Sequence, residues 1–235
     1  MTQVRNSFHD DLSSLEQHLL QMGSITNGMV EDAVLALMTG NVELAESVIV
    51  RDDIVDAMDI DIETRCMNLL ALQQPVAKDL RQVGTAFKVI TDLERVGDHA
   101  VDIAKIARKC ARQFFVTKPL VDVGHLSSMS RTMIQHSLEA LVRHDTGLAI
   151  KVCSDDDAVD AEFKELREEL LTLTQQNTKL VLPASYMLLA VVYLERIADH
   201  ATNIAERVVY VETGELNPLA RLHRLSPNEP DAVIT

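Results

Sequence analysis

Residues 93–104 read L-E-R-V-G-D-H-A-V-D-I-A and place Glu94, Asp98 and Asp102 one helical turn apart. Residues 194–205 read L-E-R-I-A-D-H-A-T-N-I-A and place Glu195, Asp199 and Asn203 at the same spacing. On a wheel with Glu94 at zero, Asp98 falls at about 40° and Asp102 at about 80°. Val96, Ala100, Ile103 and Ala107 fall on the opposite side. Carboxylates one turn apart on a helix suit hard or borderline cations such as Mg²⁺, Mn²⁺, Fe or Zn²⁺. One helix cannot complete such a shell. Candidates on a neighbouring helix are Asp52, Asp53 and Asp56 in the first half of the chain, and Asp156, Asp157 and Asp160 in the second. Asp52/Asp56 and Asp156/Asp160 keep the four-residue spacing. A weak helix-dipole role competes for them, since they stand in the first third of their helices.

The bland explanation is a solvated helix face. Two observations weigh against it. Like charges four residues apart repel by a few tenths of a kcal/mol, yet eight of the twelve positions recur identically, Glu, Arg, Asp and His among them. The stripe that carries the acids is also apolar one or two turns earlier, at Val83, Phe87 and Ile90, then at Leu188, Val191 and Val192. Acids that continue a packing face need a metal, arginines or other cations to stay charged. His99 and His200 point to the flank of the stripe and read as partly buried structural groups, with a supporting role beside a metal as the alternative. Arg95 and Arg196 are expected to bridge to acids on an adjacent helix. Gly97, matched by Ala198, implies close helix packing or clearance for an ion.

Helices must position these groups. Apolar periodicity of the helical kind runs nearly throughout, and strand-like alternation is missing. Six helices are expected, at about 8–39, 42–72, 76–113, 121–143, 146–177 and one opened by Pro183 that ends near Thr213-Gly214. Gly40-Asn41 is a stop and start signal, and Pro75 marks the third helix. The chain then reads as a duplication. Pairing Asp56 with Asp160 gives an offset of 104 residues, whereas the motifs are offset by 101, so the second copy lacks about three residues in between. The expected fold is all-α: two tandem antiparallel three-helix bundles over 1–117 and 118–213, joined end to end, with a loop at Thr117-Lys118-Pro119 and a flexible tail over 214–235.

Bulk properties narrow the function. A net charge of −14 disfavours nucleic acid and anionic membranes, and suits cations and basic protein partners. The three cysteines, Cys66, Cys110 and Cys153, make no disulfide framework and read as small buried apolar groups. The first residues lack the apolar core of a signal peptide, and the longest apolar run, 187–194, is too short to span a bilayer. A soluble cytoplasmic protein is expected. A carboxylate-bridged di-metal oxidase would need Glu-x-x-His pairs; none occurs, and the single Asp-x-x-His, Asp122 to His125, stands at a helix start.

The paired motifs, the acidic D-D-x-V-D segments, the duplication and the Pro-led third helices resemble the PhoU family, over about residues 8–212. The resemblance implies a cytoplasmic, non-catalytic negative regulator of the phosphate-starvation response. It implies partners in the ATPase subunit of a Pst phosphate transporter and a PhoR-type sensor kinase, and a homodimer. It also implies iron, zinc or other metal ions at Glu94, Asp98 and Asp102, and at Glu195, Asp199 and Asn203. Asn203 has one charge fewer than Asp102, so the first site is expected to bind more tightly. A metal-free helical scaffold is the alternative.

Overall fold

The computed structural model describes residues 2–114 and 119–215. Six α-helices account for nearly all of them: α1 (Thr2–Thr39), α2 (Val42–Gln73), α3 (Ala77–Phe114), α4 (Gly124–Arg143), α5 (Thr146–Gln176) and α6 (Val181–Thr213), with a 3₁₀ turn at Thr178–Leu180. The described residues contain no strand. Thr117 and Lys118 of the expected loop, and the expected tail from residue 216 onward, lie outside the described residues.

The local chemistry of the turns is repeated as closely as the motifs are. Asn41 caps α2 by accepting from the Leu44 amide at 3.0 Å, and Asp145 caps α5 by accepting from the Leu148 amide at 3.0 Å. Ahead of each cap stands a residue in the left-handed region, Gly40 at φ 67° and His144 at φ 54°. Gly214, at φ 79°, closes α6 by donating to the Tyr210 carbonyl at 2.8 Å. The residues missing from the second copy are found within the first turns of its last helix: 17 residues separate the start of α3 from Glu94, and 14 separate the start of α6 from Glu195. Residues 74–76 join α2 to α3, and residues 177–180, including the 3₁₀ turn, join α5 to α6.

Three expected boundaries move. α4 begins at Gly124 rather than about 121, behind Asp122, whose carboxylate accepts from the Gly124 amide at 2.9 Å. α1 begins at Thr2, ahead of residue 8, because no Gly or Pro interrupts the first residues. α6 begins at Val181, two residues before Pro183. Proline is tolerated there because amides of the first turn have no intrahelical acceptor to lose.

In each copy the three helices bury one face. Leu15, Met22, Met29, Ile62, Leu93 and Ile103 are fully buried in the first; Leu126, Met133, Ile134, Leu170, Leu194 and Ile197 in the second. The three cysteines are free and buried. The segment Thr178–Thr213, which contains α6, has an 18-residue stretch of mean hydropathy 1.6 and so resembles a membrane span by length and composition. The expectation that no segment would do so counted only the uninterrupted apolar run. Its Leu194, Ile197, Ala201, Ile204 and Val208 are core residues.

The copies do not meet end to end. α3 and α6 lie side by side and antiparallel along their whole length. Arg81 donates to the Val211 carbonyl at 3.0 and 2.9 Å, His200 meets Asp92 at 2.8 Å midway, and the Lys109 ammonium lies 4.5 Å from the Tyr186 ring centre at the far end. α1 and α4 close the other side. There a Cβ on Gly23 would come within 2.1 Å of the Leu138 side chain, so glycine permits the approach. A helix in a bundle must bury flanks as well as one stripe, and the small residues Ala100, Ala104, Ala201 and Ala205 are buried in both motifs. A stripe drawn for one partner does not reveal a second.

Candidate functional site

Two acid clusters form, one per copy, each across a pair of helices. In the first, Asp52, Asp56 and Asp59 of α2 act on Glu94 and Asp98 of α3. The carboxyl of Asp52 is pushed up by burial, then by repulsion from Asp56, Asp98 and Asp53, with Lys105 offsetting part. Glu94 is raised by burial and then by Asp98, with Asp59 and Asp56 adding and Arg95 opposing. Asp59 is raised by burial and then by Glu63 and Asp56. Asp52 lies against the backbone of α3 where it has no side chain: a Cβ on Gly97 would stand 3.7 Å from its Oδ1 and 3.4 Å from Val55. Gly97 thus serves close packing and clearance together.

The second cluster is the more strained. Burial, followed by repulsion from Asp199, Asp160, Glu195 and Asp157, pushes the Asp156 carboxyl up to about 6. Glu195 is raised by burial, then by Asp199 and Asp160, with Arg196 opposing. Four carboxylates bear on Asp156. Asp53 and Asp157 are exposed and stand at the margins of their clusters.

Arg95 does not reach another helix as expected. It bonds Asp98 at 2.8 Å and approaches Glu94 to 3.4 Å, both on its own helix. The spacing of one and three residues makes that path shorter than any to α2. The first cluster therefore carries a built-in partial counter-charge.

Asp102 and Asn203 stand apart from these clusters, on the seam between the copies. Asp102 pairs with Lys105 at 3.2 Å and accepts a hydrogen bond from the Tyr193 phenol, whose pKa is raised first by burial and then by that carboxylate. Asn203 donates to Asp92 at 3.3 Å, beside the bond between His200 and Asp92. His99 stacks on Tyr193 at 5.3 Å and lies 5.7 Å from the His200 ring. Burial, then His200 and Arg196, push its pKa down to about 4, so it is neutral at ordinary pH. The seam is a local exchange of partners: Asp92 of one copy meets His200 of the other, and Tyr193, at the position matching Asp92, meets His99.

The donors are hard carboxylate oxygens, which fit Mg²⁺, Mn²⁺, Fe or Zn²⁺ chemistry, and the repulsion they share is what a bound cation would relieve. The shell itself is not assembled: among the described residues no three His, Cys, Asp or Glu side chains converge as a metal cage. Asp52, Asp56, Glu94 and Asp98 would hold an ion in the first copy, and Asp156, Asp160, Glu195 and Asp199 in the second, through small side-chain movements or intervening water. Asp59 was not among the sequence candidates. It follows Asp52 by seven residues, two helical turns, on the same stripe, and that signal was legible.

A duplicated six-helix bundle with an acid groove in each half defines the architectural class. The family model described as PhoU domain matches residues 19–107 and 123–208, one match per copy. The chain belongs to the PhoU family. It is 38% identical over 215 residues to the phosphate-specific transport system accessory protein PhoU homolog of Clostridium acetobutylicum, covering 90% of this chain and 97% of that one. The homolog of Pseudomonas aeruginosa is 36% identical, with 90% of this chain and 87% of that protein covered. Among solved structures, PhoU from Pseudomonas aeruginosa superposes with a TM-score of 0.84 at 36% identity, over 88% of this chain and all of that one. The phosphate transport system regulatory protein PhoU from Streptococcus pneumoniae gives 0.81 at 32% identity, over 89% and 99% of the two chains.

Proposed function

We propose that this chain is a non-catalytic accessory regulator of phosphate transport, acting in the cytoplasm as a homodimer. It conveys the state of a Pst-type transporter, through the ATPase subunit, to a PhoR-type sensor kinase and so restrains the phosphate-starvation response. The observation that carries this reading is the match over both copies to relatives named as accessory proteins of phosphate-specific transport. In the same reading the two acid clusters hold divalent or ferric ions. A cation between α5 and α6 removes repulsion that otherwise opposes their close approach, so ion occupancy and helix packing are coupled.

The expected order of affinity changes. It rested on Asp102, which is held at the seam by Lys105 and Tyr193. Arginine opposes the repulsion in both clusters, Arg95 at Glu94 and Arg196 at Glu195. Asp156, pushed up to about 6 by burial and its neighbours, is the most strained acid of either cluster, so the second cluster binds the more tightly in this account. Arg95 also favours a second reading, in which the first cluster stays metal-free and arginine alone steadies it.

The regulator reading predicts that the purified chain, immobilised, retains both the transporter ATPase subunit and the kinase under phosphate-rich conditions. Retention of neither would overturn it, whatever the metal content.

A further inference from the structure

We propose that the outer face of the α1–α2 hairpin, in the first copy, is a docking surface for a basic amphipathic helix of a partner protein. Arg51 of α2 bonds Asp32 of α1 and sets the register of these two antiparallel helices. Leu35 stands three residues beyond Asp32, and Ile54 three beyond Arg51. That spacing turns both by about 60° to the same side of the hairpin. Val50, one residue before Arg51, turns the same way by about 100°. Ala36 and Val55, each four residues beyond the paired groups, turn to the opposite side and are fully buried. The first side is therefore the outer one. Leu35 is 49% exposed there, Val50 67% and Ile54 49%.

The duplication supplies an internal control. The caps Asn41 and Asp145 match at an offset of 104 residues. Core positions obey that offset: Val34 and Leu37 match Leu138 and Leu141, and all four are buried. The positions equivalent to Leu35, Val50 and Ile54 are then Glu139, Ser154 and Ala158. Ser154 and Ala158 are exposed, as Val50 and Ile54 are. Folding a copy thus requires no large apolar group at these outer positions, yet the first copy carries three. Exposed apolar groups that cluster without a packing role mark an interaction site.

Charge and size select the occupant. Residues 42–63 hold eight acids against one base, Arg51, which is itself held by Asp32. The arginines that reach the hairpin from α3 and α4, Arg112 and Arg131, are held by Glu46 at 2.7 Å and by Glu31 at 2.6 Å. A second copy seated on the same face by two-fold symmetry would set these acids against themselves. Three side chains also fall short of the roughly 800 Å² that each partner gives to a stable dimer. They suit one helix, whose apolar anchors recur every three or four residues while Lys or Arg on its flanks meets the acids.

Fluorescence anisotropy of a labelled helical peptide, with Leu on one face and Lys on the other, tests this surface on the full chain. The same peptide with Glu in place of Lys is its control. One variant takes the residues of the second copy, Leu35→Glu/Val50→Ser/Ile54→Ala. The other, Leu171→Ser/Leu182→Ser, removes two exposed leucines elsewhere. Every substituted side chain is exposed, so both variants are expected to keep the native Tm. The native chain is expected to bind the Lys peptide and not the Glu peptide. The first variant should bind it about tenfold or more weakly, because a few apolar anchors carry most of such a contact; the second should bind as the native chain does. Equal affinity in the native chain and the first variant, or an equal loss in both variants, would overturn the proposal. So would self-association of the native chain that the first variant abolishes with peptide binding unchanged, since a second copy would then be the occupant. The assay uses neither transporter nor kinase, so it can fail while the regulator reading stands.

Discussion

Asp156→Asn is expected to make the metal-free protein more stable at pH 7.5 while weakening its cation binding by about tenfold or more. The two effects share one cause. The Asp156 carboxyl is raised from 3.8 to about 6, first by burial and then by four neighbouring carboxylates. The folded state holds this proton more tightly than the unfolded chain, so the stability linked to it is fully present below pH 3.8 and is lost as pH rises through about 6. Asparagine cannot acquire the charge and escapes that loss. The unscreened shift would correspond to about 3 kcal/mol. Partial exposure of the group reduces this to about 1 kcal/mol, or a rise in Tm of roughly 2–4 °C for a chain of this size. The gain should be complete at pH 7.5 and absent at pH 3.8. A melting series without metal, run at both pH values, checks it; a lower Tm for Asp156→Asn at pH 7.5 would mean that the acid is already compensated in the native protein.

Leu194→Ala should act in the opposite sense and more strongly. Leu194 is fully buried, and its carbonyl accepts from the Ser130 hydroxyl at 2.8 Å across the α4–α6 contact. Truncation to alanine leaves a cavity in a helix clamped on several sides, at a cost of about 2–5 kcal/mol. Tm should fall by about 5–15 °C, with cation affinity retained below the transition because no carboxylate moves from its helix. Denaturant unfolding measures the loss directly. A change below about 1 kcal/mol would remove the apolar half of the motif from the core.

The division between those halves was legible in the sequence. Val96, Ala100, Ile103 and Ala107, drawn opposite the acids, are all buried. Asp52 and Asp156, nominated from their spacing alone, act on Asp98 and Asp199 from the neighbouring helices. The lateral seam was not legible. Periodicity places a residue around its own axis but names no neighbour for each flank. Asp102, about 80° from Glu94, has turned far enough to leave the α2 groove and meet Tyr193 of α6. Asn203 made the same turn and met Asp92. The apparent loss of a carboxylate in the second motif is therefore an exchange of seam partners. It says little about the charge of the acid cluster. The reach of Arg95 was equally hidden, since pairing with Asp98 on its own helix depends on a side-chain rotamer.

Metal content and affinity distinguish occupied from empty acid clusters when measured on protein purified without chelator or a histidine tag and then titrated with Mn²⁺. Comparison variants are Asp156→Asn/Asp199→Asn and Asp52→Asn/Asp98→Asn. The native chain is expected to bind the ion, the first pair of substitutions to remove the tighter component, and the second pair to remove only the weaker. Equal and negligible metal in all three proteins would contradict this expectation, and would leave the clusters as strained acidic grooves with no ion to relieve them.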